Sequence, residues 1–580
     1  MADVNLKING LPVKVPAGTT ILEAANSVGI KIPTLCYLKE INAIGACRIC
    51  VVEVKGARSL VASCVHPVSE GMEVQTNSPT VVDSRKMTLE LLLSNHDRRC
   101  LSCARSQNCE LQTLSLEYGI EDAEVFDGEK PLFEKDTSTS YLVRDNNKCI
   151  LCRKCVAVCA MNQGAGVIGA NDRGFDSSIG TAFEQGLNDV ACIACGQCIV
   201  VCPTGALTEK DDTDKVWNAI ADENKHVVIA PAPSVRVTLG ECFGMPIGTN
   251  VEGKMVAAMR RLGVDVVADV DVAADITIME EGNEFIHRLK GDGPLPLITS
   301  CSPGWIKYCE HFYPEFIPNL SSCKSPQGMY GALMKSYYAE KHNIDPENIY
   351  VVGVMPCTAK KFERGRQGYT VDGLDDVDAA ITTRELAKMI KKAGIDFVNL
   401  PDEKFDPIFG GATGAGHIFG ASGGVMEAAL RTVVETLEGK VIDTIDFKEV
   451  RGMEGIKEAC YSVAGVDVKL AVVSGTDNAR QLLEKIKKGE ADYHFIEIMA
   501  CPGGCVNGGG QPIQDAHTRG TIDLKGLRAQ ALYEADKGER VRKSHESPVV
   551  KEIYDNYLGE PGSHKAHHLL HTSYVPRKKN

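Results

Sequence analysis

The chain has 580 residues, a formal net charge of −14 and 23 cysteines. At roughly 100 to 200 residues per domain the length calls for about four units, and 44% hydrophobic against 24% charged residues is a balance that lets a globular protein bury a sizeable core. The negative charge argues against nucleic acid or an anionic membrane as a general partner, while the lack of a signal-like h-region and of any run near the roughly 18 apolar residues of a membrane span reads as cytoplasmic.

So many cysteines form either a disulfide framework or metal sites. Disulfide-dense proteins are mostly small and secreted, whereas this chain is long and its cysteines crowd into C-x-x-C runs, which favours ligation. In chain order, Val4 to Val15 alternates apolar and polar residues around Asn9-Gly10 and predicts a β-hairpin, followed by a helix from Thr20 to Val28. Cys36, Cys47, Cys50 and Cys64, with Gly45-Ala46-Cys47-Arg48-Ile49-Cys50 in a loop, have spacing that resembles a plant-type 2Fe-2S ferredoxin with a longer first gap. A helical stretch from Ser84 to Leu93 leads into His96, Cys100, Cys103 and Cys109. One imidazole and three thiolates fit a 4Fe-4S cluster or a zinc ion, and spacing alone does not choose. After a polar linker, Glu134 to Ser140, come Cys149-x2-Cys152-x2-Cys155-x3-Cys159 and Cys192-x2-Cys195-x2-Cys198-x3-Cys202-Pro203. This is the pattern of the two-cluster bacterial ferredoxins, in which each fourth cysteine crosses over. One set is then Cys149, Cys152, Cys155 and Cys202, the other Cys192, Cys195, Cys198 and Cys159. Ala160 replaces the terminal proline of the first run. A charged linker, Glu209 to Lys215, ends this series of electron carriers.

From about residue 216, apolar runs such as Val227 to Ala230, Tyr350 to Val354 and Leu470 to Val473 alternate with helical segments and predict an α/β domain with parallel sheets, where ligands gather past the carboxyl ends of strands. Three cysteine-bearing segments suit such positions: Leu297-Ile298-Thr299-Ser300-Cys301-Ser302-Pro303-Gly304-Trp305, Met355-Pro356-Cys357-Thr358-Ala359-Lys360-Lys361-Phe362-Glu363, and Glu497-Ile498-Met499-Ala500-Cys501-Pro502-Gly503-Gly504-Cys505-Val506-Asn507-Gly508-Gly509-Gly510-Gln511-Pro512. Thiolates suit soft, low-valent iron, and the run Gly508 to Gly510 is expected to admit a bulky inorganic group close to the backbone.

These segments resemble the three signature motifs of the FeFe hydrogenases, and the N-terminal modules occur in the same order in multi-cluster members of that family. The His-bearing module also resembles that of the large iron–sulfur subunit of respiratory complex I, and this context favours iron–sulfur over zinc. The resemblance implies a multidomain fold: a β-grasp 2Fe-2S ferredoxin domain over residues 1–80, a small 4Fe-4S domain with one histidine and three cysteine ligands over 81–133, a two-cluster ferredoxin domain over 140–212, and a catalytic α/β domain over 216–580. The implied cofactors are an H-cluster (a 4Fe-4S part and a diiron subsite), three further 4Fe-4S clusters and one 2Fe-2S cluster. By the same resemblance Cys357, Cys501 and Cys505 hold the 4Fe-4S part, Cys505 bridging to the diiron unit. Lys360 bonds a cyanide ligand, Met355 and Met499 pack against the diiron centre, and Pro233, Ser234 and Gln327 complete its pocket. Cys301, Glu281, Ser321, Glu284 and Arg288 carry protons to the surface, consistent with the i, i+3 and i, i+4 spacing of the charged three on one helix face.

The chain departs from the family where two adjacent cysteines are usual, since it has Cys301-Ser302. Ser302 can ligate through oxygen, Cys301 can take over, or Cys323 can substitute; Cys323 is preferred because alkoxide is a harder donor than thiolate. The expected activity is interconversion of hydrogen with protons and electrons, with a flavin- and NAD(P)-binding subunit or a ferredoxin as partner in a hetero-oligomer, of an NAD(P)-linked or bifurcating type. The alternatives are a non-catalytic electron-transfer subunit and a hydrogen sensor. The glycine-rich Gly410 to Gly420 is rejected as a dinucleotide loop because Phe419 stands at the third glycine position. The histidines of Ser563 to His571 read as a polar exposed helix, and Cys242, Cys309 and Cys460 as buried thiols.

Overall fold

A computed structural model of the protein describes residues 2–442 and 445–578. The N-terminal hairpin pairs Asp3–Ile8 with Leu11–Pro16 through a turn in which Asn9 and Gly10 both take positive φ, 50° and 82°, the conformation an Asn-Gly pair tolerates. Asp3–Ile8 also pairs in parallel with Glu73–Gln75, and Val51–Val54 and Val61–Ala62 complete a five-stranded sheet. Alternate residues Leu6, Ile8, Val13 and Val15 bury against Ile21 and Leu22 of the helix Ile21–Ser27, which Thr20 caps by accepting the Glu23 N–H at 3.3 Å. The next helix spans Pro79–Ser94, beginning earlier than the periodicity implies because Ser78 caps it and Pro79 occupies its first turn.

Neither linker is a slack spacer. In the first, Thr139 is buried and donates to the Leu142 carbonyl, while Asp136 accepts the Leu187 N–H and pairs with Arg144. In the second, Glu209 pairs with Arg384 at 2.7 Å, and the buried Lys361 sits between Asp212 and Glu385, 2.8 Å from each. The charge run Glu209 to Lys215 is therefore bolted to the catalytic domain by cations that lie far away in sequence.

The catalytic domain holds two four-stranded sheets. One orders Val266–Val267, His226–Pro231, Ile349–Met355 and Ala379–Thr382, all parallel. The other orders Leu297–Ile298, Phe495–Met499 and Val466–Ser474 in parallel, with Ile456–Val463 antiparallel at the edge. The inner strands are buried along their length, which is why they read as continuous apolar runs. The 20-residue helix Val270–Leu289, buried over most of its circumference, packs against Pro326–Leu333 and Gly424–Glu438. Cys309 is buried and Cys242 partly so, but Cys460 is exposed: it points outward from the edge strand, where side chains alternate between core and solvent. Among the described residues no helix is long and apolar enough to cross a membrane.

Replacing Lys361 by Met would leave the buried Glu385 without its cation and Asp212 with only the half-exposed Lys215. Denaturant unfolding should show a loss of about 3 to 5 kcal/mol, whereas Lys215→Met, which removes a half-exposed partner of Asp212, should change stability by less than about 1 kcal/mol.

Candidate active site and cluster modules

Four parallel strands end together. Pro231, Ile298, Met355 and Met499 are their last residues, and the chain passes from them into Pro233-Ser234, Cys301-Ser302, Cys357 and Cys501. Between the two sheets these segments surround a cavity lined by Pro233, Cys301, Ser302, Gln327, Met355, Cys357, Lys360, Met499, Cys501 and Cys505. Phe419 and Gly420 close another wall, so the glycine-rich stretch rejected for nucleotide binding shapes the site instead.

The cavity is dry and sulfur-rich. Burial pushes the Cys357 thiol up, and it pushes Cys505 to about 12, with the neighbouring Cys357 charge adding to the rise; Cys501 is raised by the same two causes. Such thiols ionise only when a cation compensates them, as bound metal does. Ser302 points its Oγ to the same place and accepts the Ala500 N–H at 3.1 Å. Gln327 donates to Glu363 at 3.2 Å, and its buried Oε1 has no partner among the described residues. Soft donors converging on a cavity lined mostly by apolar atoms fit a sulfur-ligated iron group.

Residues not singled out from the sequence hold these groups in position. Glu363 receives Lys360 Nζ at 2.9 Å, and Lys360 also reaches the Cys301 carbonyl at 3.3 Å. Gln511 donates to Ser234 Oγ and to the Cys505 carbonyl, at 3.1 and 3.0 Å. Glu497 accepts the N–H groups of Gly423 and Met426, fixing the start of the helix behind Phe419. All three lie inside the segments that drew attention for their cysteines, but only the fold reveals what they touch.

One expectation changes. Cys323 does not line the cavity: it is fully buried in the core of the first sheet, and burial and the charges of Glu284, Glu281 and Glu280 raise its thiol. Its closeness in sequence to Ser321 said nothing about which way it turns. Gly508 lines the cavity, and the glycine run also packs on protein, since a Cβ at Gly508 would lie 2.1 Å from the Pro356 carbonyl oxygen and one at Gly509 2.2 Å from that of Cys195. The glycines clamp the third segment onto the second and onto a ferredoxin loop.

Behind Cys301 lies a row of polar groups. Burial raises the Cys301 thiol, helped by the Glu281 charge, and burial pushes Glu281, whose carboxyl oxygens have no hydrogen-bond partner among the described residues, up to about 8. Ser321 Oγ donates to Glu284 at 3.0 Å, and Glu284 pairs with Arg288 at 2.6 Å.

The cluster modules bring their ligands together as follows. Cys36, Cys47, Cys50 and Cys64 are buried in mutual contact, Cys36 held low by hydrogen bonds from Cys47 and Cys64. His96 is buried with Nδ1 unpartnered, and burial lowers it to about 4, so it is a neutral imidazole suited to a metal. In the ferredoxin unit burial raises Cys149, Cys152 and Cys155, and Cys202 is near enough for its charge to add to each. The Cys192 charge adds to the rise of Cys159 and, with Cys159, to that of Cys198, and Cys195 lies beside Cys501 of the cavity. Side chains stitch these loops together. Asn42 donates to the carbonyls of Cys36 and Cys152, Arg105 to that of Cys202, Gln197 to that of Asn507, and Thr358 to that of Ala194.

A thiol-lined cavity at the carboxyl ends of parallel strands, reached through a succession of cysteine-rich modules, defines an iron–sulfur redox enzyme. The chain belongs to the iron-only hydrogenase family. Residues 225–509 match the iron only hydrogenase large subunit, C-terminal domain, and 523–577 the iron hydrogenase small subunit. Residues 1–79 match a 2Fe-2S iron-sulfur cluster binding domain, 85–124 the NADH-ubiquinone oxidoreductase-G iron-sulfur binding region, and 148–206 a 4Fe-4S dicluster domain. The NADP-reducing hydrogenase subunit HndD of Solidesulfovibrio fructosivorans is 48% identical over the full length of both chains. Iron hydrogenase 1 of Clostridium pasteurianum is 43% identical over 98% of this chain and 99% of its own. A solved structure of the FeFe-hydrogenase HydA1 from Chlamydomonas reinhardtii is 41% identical, covering 63% of this chain and 99% of that one with a TM-score of 0.56. The protein interconverts hydrogen with protons and electrons at an H-cluster, and its 2Fe-2S and 4Fe-4S domains relay the electrons.

Between the ordinary carboxyl range and about pH 8, folded Glu281 keeps a proton that the unfolded chain has lost. Its contribution to stability therefore falls as pH rises through that window. Denaturant unfolding at mildly acidic and mildly alkaline pH should show a smaller loss of stability with rising pH in Glu281→Gln than in the wild type.

Proposed function

We propose that Cys357, Cys501, Cys505 and the Ser302 oxygen would hold the 4Fe-4S part of the H-cluster, with Cys505 as the residue that would also link it to the diiron unit. The observation that carries this reading is that Ser302 shares a cavity with those three thiols while Cys323 lies outside it. The N–H of Ala500 on Ser302 Oγ would offset the basicity that makes alkoxide a poor partner for soft iron. When bound, the H-cluster supplies a soft iron centre with an open position at which hydrogen is made and split.

The chain's own residues orient that chemistry and move its protons. Lys360, anchored by Glu363, offers a cationic donor to an anionic cyanide ligand on the cavity wall. Pro233, Met355 and Met499 exclude water, while Gln511 steadies Ser234 and the Cys505 loop and Gln327 keeps its amide oxygen free. Cys301, Glu281, Ser321, Glu284 and Arg288 carry protons. Glu281, protonated near neutrality, holds a proton beside the Cys301 sulfur, and Glu284 returns it toward Arg288 and the surface.

The same reading covers the cluster ligands: Cys36, Cys47, Cys50 and Cys64 for a 2Fe-2S cluster, His96, Cys100, Cys103 and Cys109 for a 4Fe-4S cluster, and the two crossed ferredoxin sets. It divides the chain at 1–80, 81–133, 140–212 and 216–580. Full-length similarity to a protein named as an NADP-reducing hydrogenase subunit supports a hetero-oligomer with a flavin- and NAD(P)-binding partner in the cytoplasm, ferredoxin serving as a second partner if electrons are bifurcated.

Iron content and the electron paramagnetic resonance of maturated variants test the ligand set. Ser302→Ala should lose the H-cluster signal and Ser302→Cys should keep it. Cys323→Ala should retain both iron and signal, and Cys301→Ala should keep its iron while turnover falls by roughly 10² to 10⁴. Loss of the H-cluster in Cys323→Ala with retention in Ser302→Ala would contradict the assignment.

A further inference from the structure

The polar row behind Cys301 has a branch. Glu284 receives the Ser321 hydroxyl and also the N–H and hydroxyl of Ser322, at 3.1 and 3.2 Å. Ser322 Oγ stands 2.8 Å from His571 Nδ1, and His571 Nε2 stands 3.0 Å from Glu280 Oε2. Glu280 is buried, and it further accepts the Tyr554 hydroxyl at 2.5 Å and the Gly562 N–H at 2.9 Å. His571 follows the C-terminal helix His564–Leu570, and its ring stacks on the exposed His567 ring with centroids 4.6 Å apart. The helix expected to be merely polar and exposed thus brings an imidazole to the proton-bearing helix Val270–Leu289. Glu280 neighbours Glu281 in sequence but leaves the helix on another face, so the two carboxylates serve different partners.

We propose that His571 and Glu280, reached from Glu284 through the Ser322 hydroxyl, form a proton-holding side branch of the route that serves the active site. The inference rests on the reading of Glu284 as a proton carrier. The Ser322 hydroxyl rotates, and this gives the branch its direction. When Glu284 is ionised the hydroxyl donates to it. When Glu284 is protonated its O–H is given to Ser322, whose own proton passes to His571 Nδ1. The products are a Glu284 carboxylate paired with Arg288 and an imidazolium paired with Glu280, so charge and protons balance. Each turnover moves two protons through the single carboxyl of Glu281, and a store one hydroxyl away keeps the second at hand. The ionisable groups facing His571 are Glu280 and Glu284 from the long helix, Tyr554 from the segment Tyr554–Leu558, Cys323 across a backbone bridge, and His567 with His564 on its own helix.

The test compares full-length, maturated protein at matched iron content in three variants: His571→Gln, which keeps polar contacts but cannot carry the charge, Ser322→Ala, which cuts the link without touching the imidazole, and Glu284→Gln. The first two should slow hydrogen evolution by roughly tenfold and raise its solvent deuterium isotope effect, with the infrared bands of the active centre unchanged. Wild-type rate and isotope effect in Ser322→Ala, with Glu284→Gln inactive, would overturn the branch and leave the main route standing; this holds even if His571→Gln fails to accumulate iron. An active Glu284→Gln would instead sink the reading of the route itself.

Discussion

Burial of the Cys357, Cys501 and Cys505 thiols at the ends of parallel strands is the constraint to which the rest of the structure answers. In a cavity this dry a thiolate survives only beside compensating positive charge, so the same burial that discourages free thiolates makes the site selective for metal. Dryness demands that the segments carrying the cysteines be held by something other than water. Backbone groups past a strand end or at a helix start lack ladder partners, and Gln511 and Glu497 supply them from side chains, while Glu363 holds the Lys360 ammonium. The glycines at 508 and 509 finish the enclosure by letting three loops touch backbone to backbone.

The N-terminal modules answer to the same constraint from outside. Electrons reach a buried site only over short gaps, and the loops bearing successive ligand sets are joined by single side-chain to carbonyl bonds, from Asn42, Arg105, Gln197 and Thr358. Each such bond contributes only about 1 kcal/mol, and its larger effect is geometric, because it fixes the position of a ligand-bearing loop. Buried ion pairs on Lys361 and Arg384 do the same for the domain as a whole. Cys195 beside Cys501 is where the succession of modules meets the cavity.

Much of this was legible because metal ligation is local: a C-x2-C run constrains its own loop whatever surrounds it, and a strand buried on both faces announces itself as Val227 to Ala230 does. What the sequence did not disclose depends on tertiary partners. Cys323 follows Ser321 by two residues yet turns into another core. Asp212 reads as part of a solvated charge run until Lys361 arrives from 149 positions away. Asn42 is an unremarked loop residue until two cluster loops close on it. His571 looked like part of a polar helix because helix periodicity cannot say which buried carboxylate waits beyond the helix end. In each case the residue type was visible and the neighbour was not.

The central claim is that the cavity and the N-terminal modules form one continuous electron path. It is tested most directly by exposing the maturated, oxidised protein to hydrogen without mediators and following the iron–sulfur signals by low-temperature electron paramagnetic resonance. The account predicts that the 2Fe-2S module at the far N-terminus is reduced along with the 4Fe-4S modules. Reduction confined to the catalytic domain, with the N-terminal clusters present but unchanged, would contradict it.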